Sequence, residues 1–74
     1  MKQLKDIKIE FDSEFYNERK KELGYTDAYI SKIAGLAKDM LWKYKNNYST
    51  PNSFNLYRIA MALNVQMEDL LKEV

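Results

Sequence analysis

The chain has 74 residues, with twelve basic and eleven acidic side chains for a formal net charge of +1, and neither cysteine nor histidine. That length makes one domain with a small core, and the composition excludes disulfides and thiolate or imidazole metal sites, so stability rests on apolar packing within the chain or against a second copy. No apolar run approaches membrane-spanning length and the opening MKQLKDIKIEF is too charged for a signal peptide, so a soluble cytoplasmic protein with no membrane partner is expected.

Residues 1–12 read two ways. Ile7, Ile9 and Phe11 alternate with Lys8, Glu10 and Asp12, a strand pattern, while Leu4, Ile7, Phe11 and Phe15 fit a helical stripe. The alternation favours an N-terminal extension, an arm or a short strand, ahead of a domain spanning 13–74. A helix is predicted over 13–23, capped by Asp12 or Ser13, with Glu14 in its first turn and Gly24 at its end. Phe15, Tyr16, Leu23 and the stem of Arg19 form its inner stripe. The next helix, 26–33, starts at the capping residue Thr26 with Asp27 in the favourable dipole position. Ala28, Tyr29, Ile30, Ile33 and Ala34 supply its apolar side, and Gly35 stops it.

The stretch GLAKDMLWKYKNN, Gly35 to Asn47, predicts a third helix over 37–46. At 100° per residue, Leu36, Ala37, Met40, Leu41 and Tyr44 gather on one side. Lys38, Asp39, Lys43, Lys45 and Asn46 fall on the other, with Trp42 near the middle of that polar side. A loop of Asn46, Asn47, Tyr48, Ser49 and Thr50 follows. Thr50 as cap and Pro51 as first helical residue predict a fourth helix over 51–63, with Leu56, Ile59, Ala60 and Leu63 inward. Val65 leads into a fifth over 67–73, with Met67, Leu70, Leu71 and Val74 inward.

Two short helices joined at Gly35 suggest a helix-turn-helix, which lays its second helix in the DNA major groove. Residues 32–58 hold five cations, Lys32, Lys38, Lys43, Lys45 and Arg58, against Asp39 alone, so the basic excess sits where an anionic partner would bind. On this reading Ala37, Lys38, Asp39 and Trp42 face base edges. Thr26, Lys43, Lys45, Asn46, Asn47, Tyr48 and Ser49 face phosphates. Asp39 accepts from a cytosine amino group or is an exposed charge without a role. Asn46 bonds a base or, the better account, caps the helix end. Trp42 has three accounts: contact with the groove, cover by Ile7, Ile9 and Phe11 of the N-terminal segment, or an anchor for a partner protein.

The run of a first helix carrying Ile30 and Ser31, then Gly35, Leu36, and a polar helix with Leu41 and Tyr44 inward that ends in Asn46-Asn47, continues through Thr50-Pro51, Leu56, Ile59-Ala60, Ala62-Leu63, Val65 and Glu68-Asp69-Leu70-Leu71. From Thr26 to Leu71 this pattern resembles the XRE family, the repressor-type helix-turn-helix domains related to phage lambda repressor and Cro. The resemblance implies an all-α, compact five-helix lambda-repressor-like domain. Three positions depart from the family. Asp27 stands where a phosphate-touching Gln is common, and would repel phosphate. Ala37 replaces the Ser or Thr that usually opens the recognition helix. Lys45 replaces a Glu that pairs with an Arg of the first helix; with Arg19, Lys20 and Lys21 in this first helix, that pair cannot form as usual.

The resemblance implies a bacterial or phage-encoded, sequence-specific DNA-binding transcriptional regulator, a repressor of the phage or mobile-element kind. Its expected partner is double-stranded DNA, bound as a homodimer on inverted repeats; no cofactor and no small-molecule ligand are expected. The short C-terminal helix and the aromatic N-terminal segment are the expected dimer surfaces. The alternative is a protein-interaction module on the same scaffold, antitoxin-like or partner-binding, with little DNA binding; the near-neutral charge and the departures favour it. No enzyme is expected, since the chain offers no His or Cys and no Gly-rich phosphate loop.

Overall fold

Local capping decides where the helices begin and end. The Asp12 carboxylate accepts from the Phe15 N–H (3.0 Å) and starts α1, Ser13–Leu23. The Thr26 hydroxyl accepts from the Tyr29 N–H (3.1 Å) and starts α2, Asp27–Ala34. Gly24 and Gly35 close these helices with φ of +69° and +71°, a backbone shape in which a Cβ is strained. After Gly35 the Leu36 N–H reaches back to the Ser31 carbonyl (2.9 Å), and the chain turns into α3, Lys38–Lys45. The structure, a computed structural model, describes residues 3–74; Met1 and Lys2, the start of the expected extension, lie outside the described residues.

The fourth helix starts later than Thr50-Pro51 suggests. Asn52 is its cap, accepting from the Asn55 N–H (2.8 Å), and α4 runs Ser53–Leu63. Asn is as good a cap as Thr, and Pro51 is buried ahead of the helix instead of opening it. The Asn55 side-chain amide also donates to the Tyr44 hydroxyl (2.9 Å), which ties α4 to α3.

The expected fifth helix is not one: the described residues hold four α-helices. Residues Met67–Leu70 make a single 3-10 turn, fixed by the Gln66 N–H donating to Asp69 Oδ2 (3.0 Å). The chain then extends into strand β2, Leu71–Glu73, which pairs antiparallel with β1, Ile9–Phe11. The register sets Ile9 opposite Glu73, Glu10 opposite Lys72 and Phe11 opposite Leu71. Bonds from Asp12 N–H to the Leu70 carbonyl (2.7 Å) and from Val74 N–H to the Lys8 carbonyl (2.9 Å) extend the ladder at both ends. A helix this short gains little from its own hydrogen bonds, whereas the strand satisfies two backbones at once. Val74, expected inward, is 54% exposed.

The pairing carries Phe11 into the core. Its ring is 2% exposed and lies 5.7 Å from Tyr16 and 6.3 Å from Tyr44, centroid to centroid. Ile30, Leu41, Leu56, Ile59, Ala60, Leu63 and Leu70 complete the buried cluster. In α2, Tyr29 and Ile33 are exposed although the sequence pattern sets them on the apolar side. Ser31 is buried in their place, beside Ile30 and Ala34 on the inner side of the helix.

Candidate nucleic-acid interface

The helix-turn-helix is α2, the turn at Gly35, and α3. Its orientation is held by a charged knot that the sequence reading did not foresee. Asp27, at the start of α2, accepts from the Tyr16 hydroxyl (2.7 Å) and Lys20 Nζ (2.9 Å) on α1, and from Lys45 Nζ (2.8 Å) at the end of α3. Both ammonium groups also lie over the Tyr16 ring, 5.4 and 5.8 Å from its centroid. Burial pushes the Asp27 carboxyl up, but hydrogen bonds from Lys45, Tyr16 and Lys20, with the charge of Lys45, outweigh it and hold the group down at about 2. Burial, the bond to Asp27 and its negative charge all raise the Tyr16 hydroxyl, so it stays a proton donor.

The knot bears on two expectations. Asp27 does not present an unbalanced negative charge to a phosphate, since two ammoniums neutralise it. Lys45, expected at the phosphates, has its ammonium on Asp27 instead and is mostly covered. The family's Glu–Arg pair is absent, yet an ion pair still links the end of α3 to the preceding helices, with the signs exchanged. The signal was present in the sequence: an acid replaces Gln at 27 while a base replaces Glu at 45.

The outward side of α3 carries the remaining predicted residues. Ala37, Lys38, Asp39 and Trp42 are all exposed along it. Ala37 precedes the helix without a side-chain cap. Lys38 makes no ion pair among the described residues. Lys43 Nζ lies 3.4 Å from Asp39 Oδ2, one helical turn away. Thr26 spends its hydroxyl oxygen on capping α2, and Ser49 is half-buried in the loop. The Asn46 amide donates to the Trp42 carbonyl (2.8 Å), so it caps the end of α3.

Trp42 is not covered by the N-terminal segment. Its ring is 55% exposed, while β1 pairs with β2 and commits Phe11 to the core. Its neighbour is Tyr48, itself 73% exposed, whose ring lies 5.1 Å away and 11° from parallel. Asn47, at φ +58°, reverses the chain, and the Tyr48 N–H donates to the Lys43 carbonyl (2.9 Å). That turn brings the phenol beneath the indole. Helical periodicity has no means of showing it.

Among the described residues no three His, Cys, Asp or Glu side chains gather as a metal would require, and no helix is long and apolar enough to cross a membrane.

A family model described as helix-turn-helix matches residues 16–70. Among solved structures, the P22 c2 repressor protein in complex with synthetic operator 9T in the presence of Tl+ is similar, with 25% identity and a TM-score of 0.75 over 85% of this chain and 96% of that one. The solution structure of the P22 c2 repressor DNA-binding domain (1–76) has 23% identity and a TM-score of 0.73, covering 82% of this chain and 80% of its own. The restriction-modification controller protein C.AhdI from Aeromonas hydrophila is 16% identical with a TM-score of 0.71, over 78% and 88% of the two chains. No curated protein sequence matches the chain.

Proposed function

We propose, for a chain that belongs to the XRE family of helix-turn-helix proteins, that it is a sequence-specific DNA-binding regulator of transcription, a repressor of the phage or mobile-element kind. It lays α3 in the major groove of double-stranded DNA. The observation that carries this reading is the outward side of α3, the helix after the turn at Gly35, where Lys38 and Trp42 are exposed one helical turn apart and Lys43 meets Asp39 at the surface. The fold around that helix is similar to that of a repressor crystallised on a synthetic operator.

In this reading Ala37, Lys38, Asp39 and Trp42 meet base edges. Thr26, Lys43, Asn47, Tyr48 and Ser49 lie along the phosphates, where backbone N–H groups and hydroxyls position a protein without reading sequence. Asn46 serves mainly as the cap of α3. Lys45 drops out of the phosphate set because Asp27 holds it. The protein acts as a homodimer on inverted repeats, since one short helix contacts few bases and a second copy doubles them, at half-sites about 34–36 Å apart.

Titration of labelled random duplex DNA against the protein at low and rising salt tests the reading. Saturable binding whose affinity falls linearly with log salt is expected. Absence of binding at low salt sinks it and leaves a partner-binding helix-turn-helix scaffold. Sedimentation of the protein alone and on an enriched duplex tests the dimer, and a single copy per duplex removes that part.

A further inference from the structure

We infer that the stacked pair Trp42–Tyr48 reads the C5-methyl group of pyrimidines in the major groove, favouring thymine, and 5-methylcytosine over cytosine, at the base pair it faces. This rests on the reading of α3 as the helix that enters the groove.

Two large rings in water, on side chains six positions apart, do not hold a parallel stack unless the backbone places them. Here it does: the left-handed turn at Asn47, the Tyr48 N–H on the Lys43 carbonyl, and the Asn46 amide on the Trp42 carbonyl fix both ends of the loop. One face of the indole is covered by the phenol, and the remaining surface is open. A ligand therefore meets a preformed apolar ledge with little rotamer freedom left to lose.

The ledge belongs to the segment 32–58, which holds the basic excess of the chain, with Lys38 one helical turn before Trp42 and exposed, so its surroundings complement a polyanion. Of the groups a duplex displays on its base edges in the major groove, the thymine methyl is the apolar one. 5-Methylcytosine places the same methyl at the same ring carbon. The indole N–H is a lone donor and cannot make the two-point contacts that select guanine or adenine. What an aromatic ledge can distinguish in that groove is the presence of the methyl.

To test this, duplexes are selected from a random pool with the full 74-residue chain, and the enriched site is remade with uracil for thymine, one position at a time. At the positions facing the ledge, uracil should weaken binding roughly fourfold for each methyl lost. Cytosine there should bind more weakly still, and 5-methylcytosine should regain about that factor over cytosine. Trp42→Ala should erase the thymine–uracil difference. Tyr48→Ala, which leaves the indole unsupported, should shrink it. Both rings lie outside the core, so both variants should melt like the parent protein. An enriched site where thymine and uracil bind alike at every position overturns the methyl reading while DNA binding stands. A difference that survives Trp42→Ala does the same. Failure of every duplex to bind, even at low salt, overturns the DNA reading itself and this inference with it.

Discussion

Lys45 Nζ sits 2.8 Å from Asp27 Oδ2, joining the last turn of α3 to the first turn of α2. With Lys20 and Tyr16 on the same carboxylate, this contact ties the end of α3 to α2 and α1. Asp27→Asn should therefore cost stability, because it leaves two ammonium groups facing each other over the buried Tyr16 ring. The site is partly open to water, so the cost should lie at about 1–2 kcal/mol, below that of a fully buried charge. Lys45→Ala should cost less, under about 1 kcal/mol, since Lys20 and Tyr16 still hold Asp27. Urea denaturation of both variants checks the order.

The same carboxylate makes stability depend on acid. The Asp27 carboxyl drops from 3.8 to about 2 on folding, so its contribution is complete above 3.8 and is lost as pH falls toward 2. Melting curves of the parent protein between pH 5 and pH 2 should show this decline, and Asp27→Asn should flatten it. A variant that declines as steeply as the parent would assign the acid sensitivity to other carboxylates.

Phe11 should behave as a core residue although it belongs to a three-residue strand near the start of the chain. Its ring packs on Tyr16 and Tyr44, so Phe11→Ala should cost about 3 kcal/mol or more. Removing residues 1–11 should leave β2 unpaired and lower the melting temperature sharply. Retention of full stability by the truncated chain would show that the strand only decorates the domain.

These elements also show what a sequence makes legible. Asp12, Thr26, Gly24 and Gly35 act on neighbours within one turn, so the first two helices could be placed from the residues themselves. Leu70 and Leu71 could not: their spacing suits a helix, and the deciding partner, β1, lies at the other end of the chain. On the site the division is similar. The 3.6-residue period places Lys38, Asp39 and Trp42 outward on α3. It also places Lys45 outward, but a lysine stem is long enough to swing its ammonium back to Asp27. The Trp42–Tyr48 stack depends on a left-handed residue at Asn47, a choice the chain makes in the loop after the helix.

Ser31 offers a gain. It is buried, and its hydroxyl has no hydrogen-bond partner among the described residues. An unpaired buried hydroxyl is a standing cost, and alanine is the better helix former. Ser31→Ala should stabilise the protein by about 0.5–1 kcal/mol, a rise of roughly 2–8 °C in melting temperature for a domain of this size. A loss of stability would mean that the hydroxyl has a bound water for a partner.

Lys43 and Lys45 lie two positions apart on α3 and should respond differently when DNA binding is titrated against salt. The Lys43 ammonium meets Asp39 across 3.4 Å on an exposed helix face, a pair of a kind worth about 0–1 kcal/mol. A phosphate can draw it away. Lys43→Ala should then weaken every duplex alike, flatten the slope of log affinity against log salt by about 0.9, and leave the melting temperature almost unchanged. Removing Lys43 also frees the Asp39 charge, which repels DNA. Asp39→Asn alone should therefore tighten non-specific binding, and the double variant separates the two effects. Lys45 is the opposite case, because its ammonium is already held by Asp27 in the knot. Lys45→Ala should lower the melting temperature and leave the salt slope where it was. If instead Lys45→Ala flattens the slope as much as Lys43→Ala does, the Asp27 contact must open on DNA, and Lys45 returns to the phosphates.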